Sequence, residues 1–172
     1  CNLVIMYTKD YNWGVPFSIL LPTTATKLWL LISSPNNLEL FHPFCNKNIT
    51  NQWPGVDAVD EIHYYNGQVY KRNFVKWINN VGYDLLIANE QYPKSFVRWR
   101  IEDLDTQCKL TITIFPYIYN MHSKWLNFVP FFLIVKPNLY KYLINIGKGL
   151  LYHIETNKKV SKNQFGKHSW FS

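Results

Sequence analysis

Glu39 and His42 stand three positions apart in a segment that reads as a short helix. That spacing would put a carboxylate and an imidazole on one face, as general acid–base chemistry needs. The plainer reading is an exposed helix pair. The histidines, at positions 42, 63, 122, 153 and 168, include no pair at a His-x-x-x-His spacing, so no metal site is expected. Cys108 alternates with Leu110 and Ile112 as a small buried hydrophobe would, which speaks against a cysteine nucleophile. Ser-His-Asp and Gly-x-Ser-x-Gly patterns are absent. The residues therefore assign no catalytic group, metal or cofactor.

One charged residue stands apart. Asp57, Asp60 and Glu61 form an acidic run, and Arg72, Arg98 and Arg100 fall on neighbouring strand segments where they can pair across a sheet. Arg98 and Arg100 alternate with Trp99 and read as surface pairs. Arg72 shares parity with Tyr70 and Phe74. If those rings face inward, the guanidinium enters the interior and needs a carboxylate or an anionic ligand.

The elements that would hold these residues follow from periodicity. Residues 14–21 read as a strand, and Pro22 with Thr23 and Thr24 stops it and caps a helix over 25–32, with Leu28, Trp29 and Ile32 on one face. Ser33-Ser34-Pro35-Asn36 ends that helix and starts a second short one through Phe41. Six strands follow, at 44–50, 57–66, 68–78, 82–90, 95–102 and 107–115. Their short connections, Asn66-Gly67 above all, imply an antiparallel meander. Cys108, Leu110, Ile112 and Ile114 oppose Lys109, Thr111 and Thr113, and Val97, Trp99 and Ile101 oppose Arg98, Arg100 and Glu102, so one face is wet and the other covered. After Pro137-Asn138, Leu139, Leu143, Ile146, Leu150 and Ile154 form one stripe of a long helix to about residue 157, with Lys141, Asn145 and Lys148 on its wet side. Gly147 and Gly149 each cost that helix roughly 1 kcal/mol relative to Ala, which suggests close approach of sheet or ligand, or else a kink.

At 172 residues and 48% hydrophobic content the chain can build a core as one domain, with a body at about 14–157, an apolar connection at 117–136 and a basic, aromatic tail at 158–172. Aromatic content of 17% means that large flat side chains line the interior, which suits a cavity as well as a packed core. The net charge of +7 favours anionic partners without choosing among them. Cys1, Cys45 and Cys108, an odd number at long spacings, read as free thiols in the cytoplasm. No secretory signal is visible; Cys1 in place of a Met reads as a truncated start, a non-standard start or a processed lipoprotein cysteine.

In this order the chain resembles the START-like superfamily, also called SRPBCC, in its polyketide cyclase and lipid transport branch. The resembling residues are Ala25-Thr26-Lys27-Leu28-Trp29, Ile32-Ser33-Ser34-Pro35-Asn36-Asn37-Leu38, Gly55-Val56-Asp57 and Tyr64-Tyr65-Asn66-Gly67. Arg72 with Trp77, Gly82-Tyr83-Asp84-Leu85 and Ser95-Phe96-Val97-Arg98-Trp99 complete them. The ending from Asn163 to Ser172 is similar to that of a bacterial subgroup of the family. The resemblance implies an α+β helix-grip fold: a curved antiparallel seven-stranded sheet wrapped around a long C-terminal helix, with two short helices after the first strand. It also implies a hydrophobic cavity between sheet and helix, used for binding or transport of a lipid or other hydrophobic small molecule. The alternative is cyclisation or dehydration of a polyketide-like substrate, and fold alone does not decide.

Strand parity and helix phase select Trp29, Tyr64, Leu85, Ile87, Val97, Trp99, Leu110, Ile112, Ile146 and Leu150 as the cavity lining, with Arg72 as its polar anchor. The apolar run from Trp125 to Val135, interrupted by Pro130, is too short to span a bilayer. It has three readings: a lid, a peripheral contact with anionic membrane, or buried packing. Trp125, Phe128, Phe131 and Phe132 are the lid or lipid contacts, flanked by Lys124 and Lys136. In the tail, Lys158, Lys159, Lys162 and Lys167 interleave with Phe165, Trp170 and Phe171. They read as a segment that docks its aromatics on the body, and no nucleic-acid partner is expected.

Overall fold

Alternation of apolar and polar side chains produces the largest element, a curved seven-stranded antiparallel sheet. The computed structural model describes residues 10–172, and Cys1 lies outside them. The strands are β1 Val15–Leu21, β2 Cys45–Gln52, β3 Val59–Tyr64, β4 Val69–Ile78, β5 Gly82–Ala88, β6 Ser95–Leu104 and β7 Gln107–Phe115. They lie in the order β1-β7-β6-β5-β4-β3-β2. The first strand thus pairs with the last, and two short helices, α1 Ala25–Ile32 and α2 Leu38–Phe41, carry the chain from one edge of the sheet to the other. Thr24 caps α1, its hydroxyl accepting from the Lys27 N–H at 3.3 Å. Cys108, Leu110, Ile112 and Ile114 of β7 and Val97, Trp99 and Ile101 of β6 are all buried, on the face that the alternation selected.

At Gly82 the backbone takes φ +138°, and a Cβ there would sit 2.0 Å from the Trp99 carbonyl oxygen. Only glycine lets β5 start that close to β6.

The covering helix departs from expectation at its start. It begins at Lys124, with α3 Lys124–Pro130, and passes through a π-helical segment, Phe131–Val135, into α4 Lys136–Thr156. The sequence pattern placed the helix only after Pro137-Asn138 and assigned none around Pro130. The wider π turn that follows Pro130 is where the helix absorbs it, and Pro137 falls in the first turn of α4. Asn157, in the left-handed region, ends α4.

α4 packs on β1 and α2, and Leu139, Leu143, Ile146 and Leu150 join the inner side chains of the sheet in one buried cluster. Each such side chain contributes roughly 1.5–3 kcal/mol when fully buried. Gly147 faces the Phe17 ring of β1 and Gly149 faces the Phe41 carbonyl of α2, so both glycines serve protein packing. Asn145, placed on the wet side by helix phase, is buried, its Nδ2 without a hydrogen-bond partner among the described residues.

Candidate ligand cavity

Between the inner face of the sheet and α4 lies a cavity of about 480 Å³. Eight residues chosen from the sequence stand on its wall: Tyr64, Arg72, Leu85, Ile87, Val97, Trp99, Ile112 and Ile146. Trp29, Leu110 and Leu150 do not. They are buried in the core beyond it, where Trp29 meets Trp77 edge-on at 5.3 Å. Strand parity for Leu110 and helix phase for Trp29 and Leu150 point them inward but say nothing of depth, and α1 fills that end of the grip. The rim is made of partly exposed side chains: Asn66 and Gln68 of the β3–β4 turn, Tyr92 of the β5–β6 turn, Tyr117 and Ile118 after β7, and Trp170 and Phe171 of the tail. Tyr92 and Tyr117 stack at 5.8 Å between ring centres, bridging two parts of that rim.

The wall is mostly apolar, with one polar end. Arg72 of β4 lies opposite Asp60 of β3, and both are buried. Its Nε donates to Asp60 Oδ1 at 2.7 Å and its Nη2 to Oδ2, while Asn48 Nδ2 also donates to Oδ2 at 3.0 Å. The carboxylate that an inward Arg72 requires is therefore Asp60. Burial alone would lower the pKa of the guanidinium, but Asp60 overrides it and raises it further.

Beside this pair, His42 Nε2 lies 2.8 Å from Tyr142 Oη, and Tyr142 Oη lies 2.9 Å from Tyr64 Oη. The Phe44 backbone N–H donates to His42 Nδ1 at 3.2 Å. Burial first, then the Arg72 charge, lowers the His42 pKa to about 3, so the ring is neutral at physiological pH. Burial raises Tyr64 and Tyr142 above the ordinary phenol range. Glu39 and His42 do not share a face. His42 ends α2 with an extended backbone that turns its ring inward, whereas Glu39 accepts from the Asn48 N–H at 3.0 Å and meets Lys159 at 3.7 Å.

The tail supplies a further wall. Phe171 stacks on Tyr64 at 4.8 Å and lies 4.7 Å from the Tyr142 ring, and Asn66 Nδ2 donates to the Trp170 carbonyl at 2.8 Å. His168 is buried, its Nε2 donating to the Asn138 carbonyl at 2.9 Å. Tyr142 and the tail aromatics were missing from the lining read off the sequence. Tyr142 follows Leu139 by three and precedes Ile146 by four, so helical spacing did carry a signal for it.

Other sequence-selected groups lie elsewhere. Arg98 and Arg100 pair with the buried Asp84 of β5, at 3.3 and 2.7 Å, and take no part in the acidic run. Cys108 is buried, as is Cys45, whose thiol burial pushes up to about 12.

The segment 117–136 splits. Tyr117 and Ile118 reach the cavity, and the chain returns to it at Leu139. Between them Phe131 is 1% exposed and packs on Trp13 at 4.8 Å, so it cannot be a lid or lipid contact as the sequence suggested. Phe132 is half-buried over the same Trp13, and Lys136 Nζ lies 5.1 Å from its ring centre. Trp125, at 91% exposure, and Phe128 face outward with Leu126 at 81% and Leu133 at 73%. Among the described residues no helix is long and apolar enough to cross a membrane.

No family model matches the chain, and no curated protein does. Solved structures do. DynU16, from the dynemicin biosynthetic locus, superposes with a TM-score of 0.66 at 12% identity over 87% of this chain, which spans 51% of the DynU16 chain. BexL, a di-domain ARO/CYC from the BE-7585A biosynthetic pathway, gives 0.64 at 10% identity over 83% of this chain and 46% of its own. Ara h 8.0201 gives 0.60 at 12% identity over 84% of this chain and 99% of its own. Likeness at these identities is likeness of fold, and the fold of this chain is a helix grip, a curved seven-stranded antiparallel sheet closed around a long C-terminal helix.

Proposed function

We propose that the protein binds and carries a hydrophobic small molecule or lipid in the cavity between sheet and α4. The observation that carries this reading is the cavity itself: about 480 Å³ of space walled mainly by aliphatic and aromatic side chains, with a buried polar cluster around Arg72 and His42 and further polar side chains on the rim. Three neighbours of like fold, two of them from biosynthetic loci or pathways, are consistent with a fold that works through its interior.

The alternative, a cyclase or dehydratase acting on a polyketide-like substrate, draws on that polar end. A general acid or base works best with a pKa near the operating pH. Here burial moves His42 down to about 3 and Tyr64 and Tyr142 upward, each away from neutrality. That favours a carrier over a proton-transfer catalyst.

Loading would take place at an anionic membrane. Between Asp105 and Glu155 the chain carries five lysines and no carboxylate, and that stretch includes the outward Trp125, Leu126, Phe128 and Leu133. Native mass spectrometry of protein purified from cells, followed by solvent extraction, tests the carrier reading. A co-purifying hydrophobic compound is expected. Recovery of none, together with no uptake of fatty-acid or polyketide probes, would sink it.

A further inference from the structure

A count of polar hydrogens in the buried His42–Tyr142–Tyr64 cluster leaves one over. Because the Phe44 N–H donates to His42 Nδ1, that nitrogen holds a lone pair, and the neutral ring must carry its hydrogen on Nε2. Three hydrogens, on His42 Nε2, Tyr142 Oη and Tyr64 Oη, then serve only two contacts: 2.8 Å between His42 and Tyr142 and 2.9 Å between the two phenols. In the head-to-tail order, His42 donates to Tyr142 and Tyr142 to Tyr64, each bond polarising the next, and the spare hydrogen is on Tyr64. In the reverse order of the two phenols it is on Tyr142. Both hydroxyls belong to residues on the cavity wall, and neither has another hydrogen-bond partner among the described residues.

The charge at this end is already balanced. Asp60 takes two N–H groups of Arg72, so a carboxylate entering here would find no unpaired cation and would lose its hydration. We infer that the Tyr64–Tyr142 pair presents one unused O–H hydrogen to the cavity and selects hydrophobic ligands that bear an uncharged acceptor oxygen, a carbonyl above all, at that end. The inference rests on the carrier reading and adds a chemical class to it. Phe171, stacked on Tyr64 and close to Tyr142, shields the hydroxyl pair from solvent, which strengthens the bond a ligand would accept.

The test uses two probes of nearly equal shape, 2-acetylnaphthalene and 2-ethylnaphthalene, which differ in the acceptor oxygen. The wild-type protein should bind the ketone about tenfold more tightly, one net hydrogen bond's worth. The ketone's infrared carbonyl stretch should fall below its value in hexane. In Y64F/Y142F both effects should vanish while 2-ethylnaphthalene still binds. Equal affinities and an unshifted stretch in the wild type would overturn the inference while leaving the carrier reading intact. A shift that persists in the folded double variant would overturn its assignment to this pair. If the double variant does not fold, the wild-type comparison decides alone. Binding of neither probe would remove the carrier reading and the inference with it.

Discussion

The Gly149 Cα of α4 faces the Phe41 carbonyl so closely that a Cβ at position 149 would lie 1.9 Å from the oxygen. This contact clamps the long helix to the end of α2, next to His42 at the polar end of the cavity. Backbone cannot move aside as a side chain can. Gly149→Ala should therefore destabilise the protein by at least the roughly 1–3 kcal/mol of an overpacked core, despite alanine's better helix propensity. Gly147→Ala is the control, since its Cβ meets side chains alone, the outer atoms of the half-buried Phe17 ring at 2.7 Å and Ile19 Cδ1 at 3.3 Å. Urea unfolding of the two variants should show a much larger loss for the first, and equal losses would contradict the clamp.

Acid should weaken the fold from about pH 6.5 downward. His42 takes up a proton near 6.5 in the unfolded chain but only near pH 3 in the folded one. Between those values the unfolded state binds more protons, so stability falls as pH falls, by up to about 1.4 kcal/mol per pH unit. His168, also lowered chiefly by burial, adds to the slope in the same direction. Stability measured at several pH values should show this decline for the wild type and a shallower one for His42→Gln, whatever the variant's absolute stability.

The Arg72–Asp60 pair should matter more when broken than when replaced. Asp60→Asn leaves a buried guanidinium without its counter-charge, at a cost of roughly 3–5 kcal/mol. The double variant Arg72→Met, Asp60→Leu removes both charges and should recover most of that loss. A double variant no more stable than Asp60→Asn would mean that the pair stabilises the fold beyond satisfying itself.

What the sequence made legible was face and order. The alternation of Cys108 to Ile114 and of Val97 to Ile101 fixed which side chains look inward, because a strand has a period of two whatever surrounds it. Depth was not legible. Trp29, Leu110 and Leu150 have the correct phase yet lie beyond the cavity, since where a helix plugs the grip depends on contacts between distant segments. The same holds for Phe171, whose stacking on Tyr64 joins positions more than a hundred residues apart. The start of the long helix was not legible either: periodicity gave it only after Pro137-Asn138, whereas a π turn lets it run back past Pro130.

The outward face of α3 yields the last prediction. Helix packing normally buries one apolar stripe, and Phe131 and Val135 provide it here against the core. Trp125, Leu126, Phe128, Val129 and Leu133 are then left on the other side, exposed apolar surface that costs hydration unless something covers it. Lys124 and Lys136 flank this surface, so the cover should be apolar in its interior and anionic at its boundary, as a phospholipid layer is. Sedimentation with phosphatidylcholine vesicles should show binding that rises when phosphatidylserine is included and falls with added salt. Trp125→Ser, Leu126→Ser and Leu133→Ser together should abolish it with little change in the unfolding temperature. Phe131→Ser should instead lower stability by roughly 3–5 kcal/mol, because it empties a core position. If the triple variant binds vesicles as the wild type does, or the wild type ignores them at every lipid composition, the exposed face serves something other than a membrane.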